Sequence, residues 1–361
     1  MSITITIDGE QVEVEENSTI LDGAEKLEIE IPTLCYHPAL SATGSCRVCL
    51  VENAETGELL TACSNPATDG LEIKSDTDLV NRTRKNNIEL LLTNHHDDCM
   101  TCESDGNCDL QDLIYEYDIT DPDFGTLKDN VAPEDMYKIE NENPFIEFDA
   151  NKCILCGKCV RVDKEIQCSD VLEFSERGYD SKIFTPFGLD IEEEFSDCVH
   201  CGQCVEMCPT GALTYIPSQG KGREYDFDKV ETTCPYCGVG CHLELKVKDN
   251  EIVEVGSIYK EGLANPVGET CVKGRFAYDF INHPDRLTKP LIKRDGEFEE
   301  ASWDEALEYT AEKLTKIKEE DCAQALANLT SARCSNEENY VIQKFMRAAI
   351  GTNTVDHCAH L

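Results

Sequence analysis

Cysteine and histidine recur in this 361-residue chain at intervals that suit metal ligation. Cys35, Cys46, Cys49 and Cys63 form C-x10-C-x2-C-x13-C, and four thiolates on the loops of a small sheet can enclose a [2Fe-2S] cluster or a zinc ion. His95, Cys99, Cys102 and Cys108 form H-x3-C-x2-C-x5-C. Replacing one thiolate by a neutral imidazole makes a cluster less negative and easier to reduce, although a zinc knuckle can use the same four ligands. The chain holds 22 cysteines, but at this length and with these short intervals they read as metal ligands rather than a disulfide scaffold.

An internal repeat follows, Cys153-x2-Cys156-x2-Cys159 and then Cys198-x2-Cys201-x2-Cys204-x3-Cys208-Pro209. In two-cluster bacterial ferredoxins the last Cys of each run ligates the other cluster, so Cys208 is expected to complete the set of Cys153, Cys156 and Cys159. The repeat departs from that pattern once, because the first run has Asp163 where its fourth Cys would stand. The set of Cys198, Cys201 and Cys204 then has three possible outcomes: Asp163 as an oxygen ligand, Cys168 recruited by a local rearrangement, or an open iron site. Asp163 is preferred, since it needs no change of backbone; a hard carboxylate binds iron less well than thiolate and is expected to shift the potential or make that iron labile.

Two stretches carry a family resemblance. Ile31-Pro-Thr-Leu-Cys35-Tyr-His-Pro38 with Gly44-Ser-Cys46-Arg-Val-Cys49-Leu50 resembles the [2Fe-2S] domain of the large peripheral subunit of respiratory complex I and its hydrogenase relatives. That family also places one His and three Cys next in order, which implies His95 rather than His96 as the ligand. Cys234-Pro-Tyr-Cys237-Gly-Val-Gly-Cys241, followed by Cys271-Val-Lys273-Gly274, resembles the N-terminal [4Fe-4S] site of bis-molybdopterin-guanine-dinucleotide (bis-MGD) oxidoreductases, formate dehydrogenases above all. The resemblance implies that Lys273 lies between that cluster and the pterin and relays electrons there.

The resemblance extends to the last residues. In molybdenum and tungsten formate dehydrogenases the residue after a segment such as Val355-Asp-His-Cys-Ala-His-Leu361 is the cysteine or selenocysteine that holds the metal. Selenocysteine is encoded by UGA, so the expectation is a chain cut just before its catalytic ligand by recoding or truncation, and inactive alone. His360 occupies a position that is usually Arg in the family, so the charge near the metal differs.

The elements that must position these residues are a mixture. Ile3 to Ile7, Asp8-Gly9 and Val12 to Val14 alternate across a tight turn and predict a hairpin. A helix is expected through Ile88–Leu92, and strands at His242–Val247 and Ile252–Val255. Residues 121–148 read as an acidic connector. From 286 the pattern turns α/β: a capping box at Ser302–Glu305, a helix whose Leu307, Ala311, Leu314 and Ile317 share one face, a strand at Ala325–Leu329, a helix at Asn339–Ile350 closed by Gly351, and a strand from Val355. In an open α/β sheet ligands bind beyond the carboxyl ends of strands, which aims the end of the chain at the active site. Cys168, Cys322, Cys334 and Cys358 fall outside the ligand sets, and the last three are expected to be small buried apolar residues.

The fold class expected is α+β multidomain: a β-grasp [2Fe-2S] ferredoxin domain at 1–78, a helical one-His/three-Cys domain at 79–120, a two-cluster ferredoxin domain at 149–218, a [4Fe-4S] cap at 231–285, and an incomplete α/β molybdopterin oxidoreductase domain at 286–361. The cofactors implied are one [2Fe-2S] and four [4Fe-4S] clusters, with molybdenum or tungsten bis-MGD only in a full-length enzyme.

A net charge of -40 disfavours nucleic acid and anionic lipid as partners and suggests a salt-adapted source. No apolar run is long enough to span a bilayer, so direct membrane insertion is not expected, and the compartment expected is the cytoplasm. No G-x-G-x-x-G follows a predicted strand, so an NAD(P)-reducing diaphorase or flavin subunit, a hydrogenase or a ferredoxin is the expected electron partner. The leading expectation is the relay portion of a formate dehydrogenase alpha subunit, interconverting formate and CO2. The alternatives are a complex I or hydrogenase-type electron-transfer subunit, a nitrate reductase relative, and a stand-alone iron-sulfur carrier. An unpaired edge in residues 286–361 argues against the last.

Overall fold

Alternation at the amino end produces the predicted hairpin. In the computed structural model, which describes residues 2–185 and 197–358, β1 (Ser2–Ile7) and β2 (Glu10–Glu15) pair antiparallel across Asp8-Gly9, Gly9 taking φ +89°. Helix α1 (Ile20–Lys26) starts at a capping box between Thr19 and Asp22. With β3 (Leu50–Asn53), β4 (Leu59–Thr61) and β5 (Glu72–Lys74) the hairpin completes a mixed sheet in the order β2-β1-β5-β3-β4. Ile5, Ile7, Ile20 and Ile73 are fully buried between sheet and helix, each contributing roughly 1.5–3 kcal/mol relative to exposure.

Helix α2 (Asp78–Leu92) contains the expected segment and leads straight to His95. Its buried Arg84 donates from Nε (3.0 Å) and Nη2 (2.7 Å) to the Leu50 carbonyl, tying the helix to the strand that follows Cys49. Helix α3 (Asp109–Glu116) begins at Cys108. Ile88, Leu92, Leu110 and Leu113 form one apolar core with Leu34, Cys35, Cys46, Ile154 and Cys156, so three of the cysteine sets' neighbourhoods share a single interior.

The acidic connector is more ordered than its composition suggests. It contains α4 (Leu127–Asn130), the Tyr137 amide donates to Asn151 Oδ1 (2.9 Å), and Glu140 exchanges backbone bonds with Phe148. The ferredoxin-like module has β6 (Ile146–Phe148), α5 (Lys158–Val162), β7 (Glu173–Ser175), β8 (Lys182–Phe184), α6 (Gln203–Glu206) and β9 (Leu213–Tyr215), with β6 pairing β9 and β7 pairing β8. Each short helix carrying a cysteine run starts after a left-handed glycine, Gly157 at φ +68° and Gly202 at φ +76°. The cap is the antiparallel sheet β10 (Asp228–Thr233), β11 (His242–Lys248) and β12 (Glu251–Ser257), followed by α7 (Val272–Phe276).

Residues 286–358 hold the hairpin β13 (Leu291–Arg294) and β14 (Glu297–Glu300), helix α8 (Trp303–Asp321), β15 (Asn328–Ser331), α9 (Asn336–Phe345) and β16 (Val355–Cys358). β15 and β16 pair in parallel with α9 between them. Four expectations need correction here. Ala323–Ala325 is a 3-10 turn and the strand starts at Asn328. The second helix begins three residues early, because Ser335 and Glu338 form a capping box, and it ends in a wider π-turn at Met346–Ile350 before Gly351. Ser302 Oγ does accept the Glu305 amide (3.2 Å), but the Glu305 carboxylate is bound by Arg294 (2.5 Å) instead of closing the reciprocal arm of a box. Cys322 is exposed and Cys334 only half-buried, so neither is a core residue; the side chain of Cys358 and residues His360 and Leu361 lie outside the described set. Among the described residues no helix is long and apolar enough to cross a membrane.

Candidate metal centres

The cysteines of the first three modules have no disulfide partners among the described residues; those of the first set are all buried, those beside His95 half-buried, and those of the ferredoxin-like module buried or half-buried apart from the exposed Cys168. Cys35 and Cys46 lie on the loop before β3, Cys49 at its start and Cys63 after β4, and all four are buried. Cys49 Sγ is 3.4 Å from Cys63 Sγ, and Cys35 shares thiol hydrogen bonds with Cys46 and Cys63. Those bonds pull Cys35 far down and Cys49 down to about 7, while the partners that supply the protons, Cys46 and Cys63, are driven up. Four thiols this close compete for protons; a metal cation that replaces the protons relieves the competition, so the set fits a cluster.

His95 follows α2 directly and is 5% exposed. Its Nδ1 lies 3.0 Å from the Lys152 carbonyl, and burial lowers the imidazole to about 4, so the ring is neutral with Nδ1–H donating and Nε2 free to ligate. His96 is only half-buried and lies 3.8 Å from Asp98. Cys99, Cys102 and Cys108 are near enough to perturb one another, and burial pushes Cys108 up to about 12. Gln111 shapes their loop, accepting the Gly106 amide (3.0 Å) and donating to Asp105 (2.8 Å).

Cys153, Cys156, Cys159 and Cys208 come together across 55 residues of sequence: burial first, then mutual repulsion with Cys208, pushes Cys153 and Cys156 up to about 12 and Cys159 well above its ordinary value. Such thiols stay protonated until a metal displaces the proton. Cys198, Cys201 and Cys204 gather around Asp163, whose charge raises all three after burial. Asp163 is 7% exposed, and its Oδ2 accepts the amides of Val171 (2.6 Å) and Leu172 (2.9 Å). No cation among the described residues pairs with it. Cys168 is exposed at a left-handed turn (φ +57°) and donates to the Ile166 carbonyl (3.9 Å), outside this gathering.

The cap set is more open. Cys234 and Cys241 are half-buried, Cys237 and Cys271 exposed, and repulsion from the other thiols adds to burial in raising Cys234 and Cys241. The Cys234 amide donates to the Cys241 carbonyl (2.8 Å), closing the loop on itself. Lys273 stands in the first turn of α7, exposed and without an ion pair among the described residues. With Cys237 and Cys271 it is one of the exposed candidate site residues.

Sequence reasoning missed the residues that join the sets. Buried Arg161 donates to the carbonyls of Cys35 (2.6 Å) and Cys156 (3.2 Å) as well as Ser41. Arg275, 1% exposed, donates to Val255 O (2.7 Å), Ser257 Oγ (2.7 Å) and Cys201 O (3.3 Å) and pairs with Glu206 (3.4 Å). Thr270 Oγ1 also donates to Cys201 O (3.2 Å). Gln203, 2% exposed beside Cys204, has neither amide atom hydrogen-bonded among the described residues. Only sequence adjacency to a ligand hinted at Gln203, and nothing in the spacing hinted at the arginines.

Five family models cover successive stretches. They describe a 2Fe-2S iron-sulfur cluster binding domain at 1–78, an NADH-ubiquinone oxidoreductase-G iron-sulfur binding region at 84–123, an NADH-quinone oxidoreductase subunit 3 ferredoxin-like domain at 143–214, a molybdopterin oxidoreductase Fe4S4 domain at 227–283 and a molybdopterin oxidoreductase domain at 286–361. The NADPH-Fe(3+) oxidoreductase subunit alpha of Geobacter sulfurreducens is 38% identical over 99% of this chain and 40% of its own length. A G-type NADH-quinone oxidoreductase chain of Rhizobium meliloti is 38% identical over 98% and 40%. A Staphylococcus aureus chain named "Putative formate dehydrogenase SAR2393" is 29% identical over 99% and 39%. The chain thus spans about 40% of the length of the curated relatives it matches. A solved NAD+-reducing [NiFe]-hydrogenase in the H2-reduced state is 29% identical with a TM-score of 0.52, over 62% of this chain and 91% of that one. In order, the chain therefore carries stretches that match iron-sulfur domains of the NADH dehydrogenase G type and then molybdopterin oxidoreductase domains, a succession that supports a role in electron transfer.

Proposed function

We propose that this chain is the electron-relay section of a formate dehydrogenase alpha subunit, connecting a bis-MGD molybdenum or tungsten site to an electron-accepting partner. The observation that carries the reading is the gradation of burial among the cysteine sets: the first is buried, the next three are buried or half-buried, and the cap set alone presents exposed thiols together with Lys273. An exposed set suits a position against a further cofactor or domain, and the relatives named as formate dehydrogenases span the cap in the same order. When bound, iron-sulfur clusters carry single electrons, which suits the two electrons released as formate becomes CO2 and a proton.

The ligands assigned are Cys35, Cys46, Cys49 and Cys63 for [2Fe-2S]; His95, Cys99, Cys102 and Cys108; Cys153, Cys156, Cys159 and Cys208; Asp163 with Cys198, Cys201 and Cys204; and Cys234, Cys237, Cys241 and Cys271, each of the last four sets for [4Fe-4S]. Asp163 is assigned because a buried carboxylate without a cationic partner needs a metal or a proton, and its two amide bonds hold the charged form in place beside three thiols. The protein shields the first four sets from water more than the cap and fixes their spacing; an NAD(P)-linked flavin subunit, a hydrogenase or a ferredoxin is the acceptor, in the cytoplasm.

The test is substrate-dependent reduction of the clusters in the complete enzyme, followed by EPR under anaerobic conditions. Formate is expected to reduce all five centres. Reduction by NAD(P)H with no response to formate would replace this reading by the second one, an electron-transfer subunit of the NADH dehydrogenase or hydrogenase type, which the 38% identical relatives favour. Asp163→Cys is expected to change the EPR signal of one cluster only, and an unchanged set of signals would remove Asp163 from the ligands.

A further inference from the structure

One side chain outside the ligand sets touches the neighbourhoods of two of them. Lys152 precedes Cys153 in the chain, and its carbonyl accepts both His95 Nδ1 (3.0 Å) and Thr210 Oγ1 (2.9 Å), the latter 3.7 Å from Cys208 Sγ. Its ammonium reaches the other way, donating to Cys102 Sγ at 3.7 Å. The side chain is 13% exposed and is steadied by Asp98 at 3.1 Å and Asp149 at 3.9 Å. Next to it, Cys108 Sγ donates to the carbonyl of Pro209 (3.6 Å), the residue after Cys208.

We infer that Lys152 is a positioning residue that sets the reduction potential of the His95, Cys99, Cys102, Cys108 cluster and fixes its approach to the Cys153, Cys156, Cys159, Cys208 cluster. A hydrogen bond and a positive charge at a ligand sulfur stabilise the more negative, reduced cluster, because hydrogen bonds to the sulfurs and net charge are what set such potentials. The carbonyl of the same residue holds the imidazole in the tautomer that leaves Nε2 for iron, which is how outer partners orient metal-bound histidine. Asp98 and Asp149 limit the effect by sharing the charge, and Asp98 Oδ1 is buried without a hydrogen bond among the described residues. The neutral imidazole already favours reduction, and Lys152 adds to it in the same direction.

The inference rests on the ligand assignment above, and the experiment separates the two. In the holoprotein, EPR-monitored redox titration of Lys152→Met should show the His-ligated cluster about tenfold harder to reduce at a fixed potential, which is 59 mV for one electron. The [2Fe-2S] and cap clusters should stay in place. Lys152→Arg, which keeps the charge, should restore most of the difference, and Asp98→Asn should shift the cluster the opposite way. In the unmutated protein carrying lysine labelled with 15N at Nζ, pulsed EPR of the reduced cluster should show a coupling to that nitrogen. This measurement decides the matter even where the Met variant loses its cluster. Absence of the 15N coupling, or a Met variant with all clusters and an unmoved potential, overturns the inference. A wild-type spectrum without any His-ligated cluster would instead overturn the ligand assignment.

Discussion

Residues up to 285 and residues 286–358 are held together by different means. The first region buries the whole set of Cys35, Cys46, Cys49 and Cys63, further cysteines such as Cys156, Cys159 and Cys204, its isoleucines and even an arginine; among the described residues the second buries little beyond Ile292, Met346, Ile350 and Thr352. In the second region the apolar stripe of α8 faces outward, with Leu307 62% exposed, and order comes from caps, helix hydrogen bonds and exposed ion pairs such as Arg294 with Glu299 and Glu305. A metal relay needs rigid spacing and dryness, which only a closed interior supplies. A βαβ unit can take its shape from local hydrogen bonds, but on its own it draws little stability from them.

The comparison can be broken most decisively at a joint of the first region. Arg275→Ala leaves Glu206 without its cation, takes the Arg275 donor from the Val255 carbonyl and leaves the Cys201 carbonyl with Thr270 alone, a loss worth about 3–5 kcal/mol for a buried pair. Denaturant unfolding should report it, and a change below about 1 kcal/mol would show that the cap is not held there. Next, Ile88→Ala, in the shared core, should cost about 2–5 kcal/mol, while Leu307→Ala on α8 should stay within about 0.5 kcal/mol. Equal effects would erase the distinction between the regions. Smaller again, Ser335→Ala should cost about 1 kcal/mol and speed amide exchange in the first turn of α9, since Ser335 Oγ accepts the Glu338 amide.

The finest contrast is with pH. Burial alone would raise Glu224, but hydrogen bonds and charge from Lys229 and Lys246 outweigh it and hold its carboxyl below the ordinary value of 4.5. A lowered folded value means that the unfolded chain binds the proton more readily, so this stabilisation is complete above pH 4.5 and fades as pH falls through the folded value. The cap should therefore weaken below about pH 4.5, and Glu224→Gln should remove that part of the pH dependence, as measured by thermal unfolding at stepped pH. An unaltered pH profile in the variant would assign acid sensitivity elsewhere.

The candidate ligands were legible in the sequence because metal chemistry writes itself as local spacing: the run from Cys198 to Cys208 can be read without knowing any fold. Position 163 was legible as a departure, and the fold then brought Asp163, not Cys168, to the three thiols. Lys152, Arg161 and Arg275 were invisible, because each acts through contacts that join residues 50 to 126 positions apart. Elements failed to be legible for local reasons. Periodicity places Leu307 to Ile317 on one face correctly but cannot say that the face lies open, and the polar cap at Ser335 is masked by the stronger signal of the apolar run after it.

Cys35 and Cys156, ligands of two different candidate clusters, sit in one apolar core with Leu34, Leu110 and Ile154, and Arg161 clasps both of their carbonyls. Were both sets to hold clusters, iron and sulfide would have to arrive before that interior closes, because both thiols are buried once it has. Maturation would then have a deadline, set by the docking of the first module onto the third.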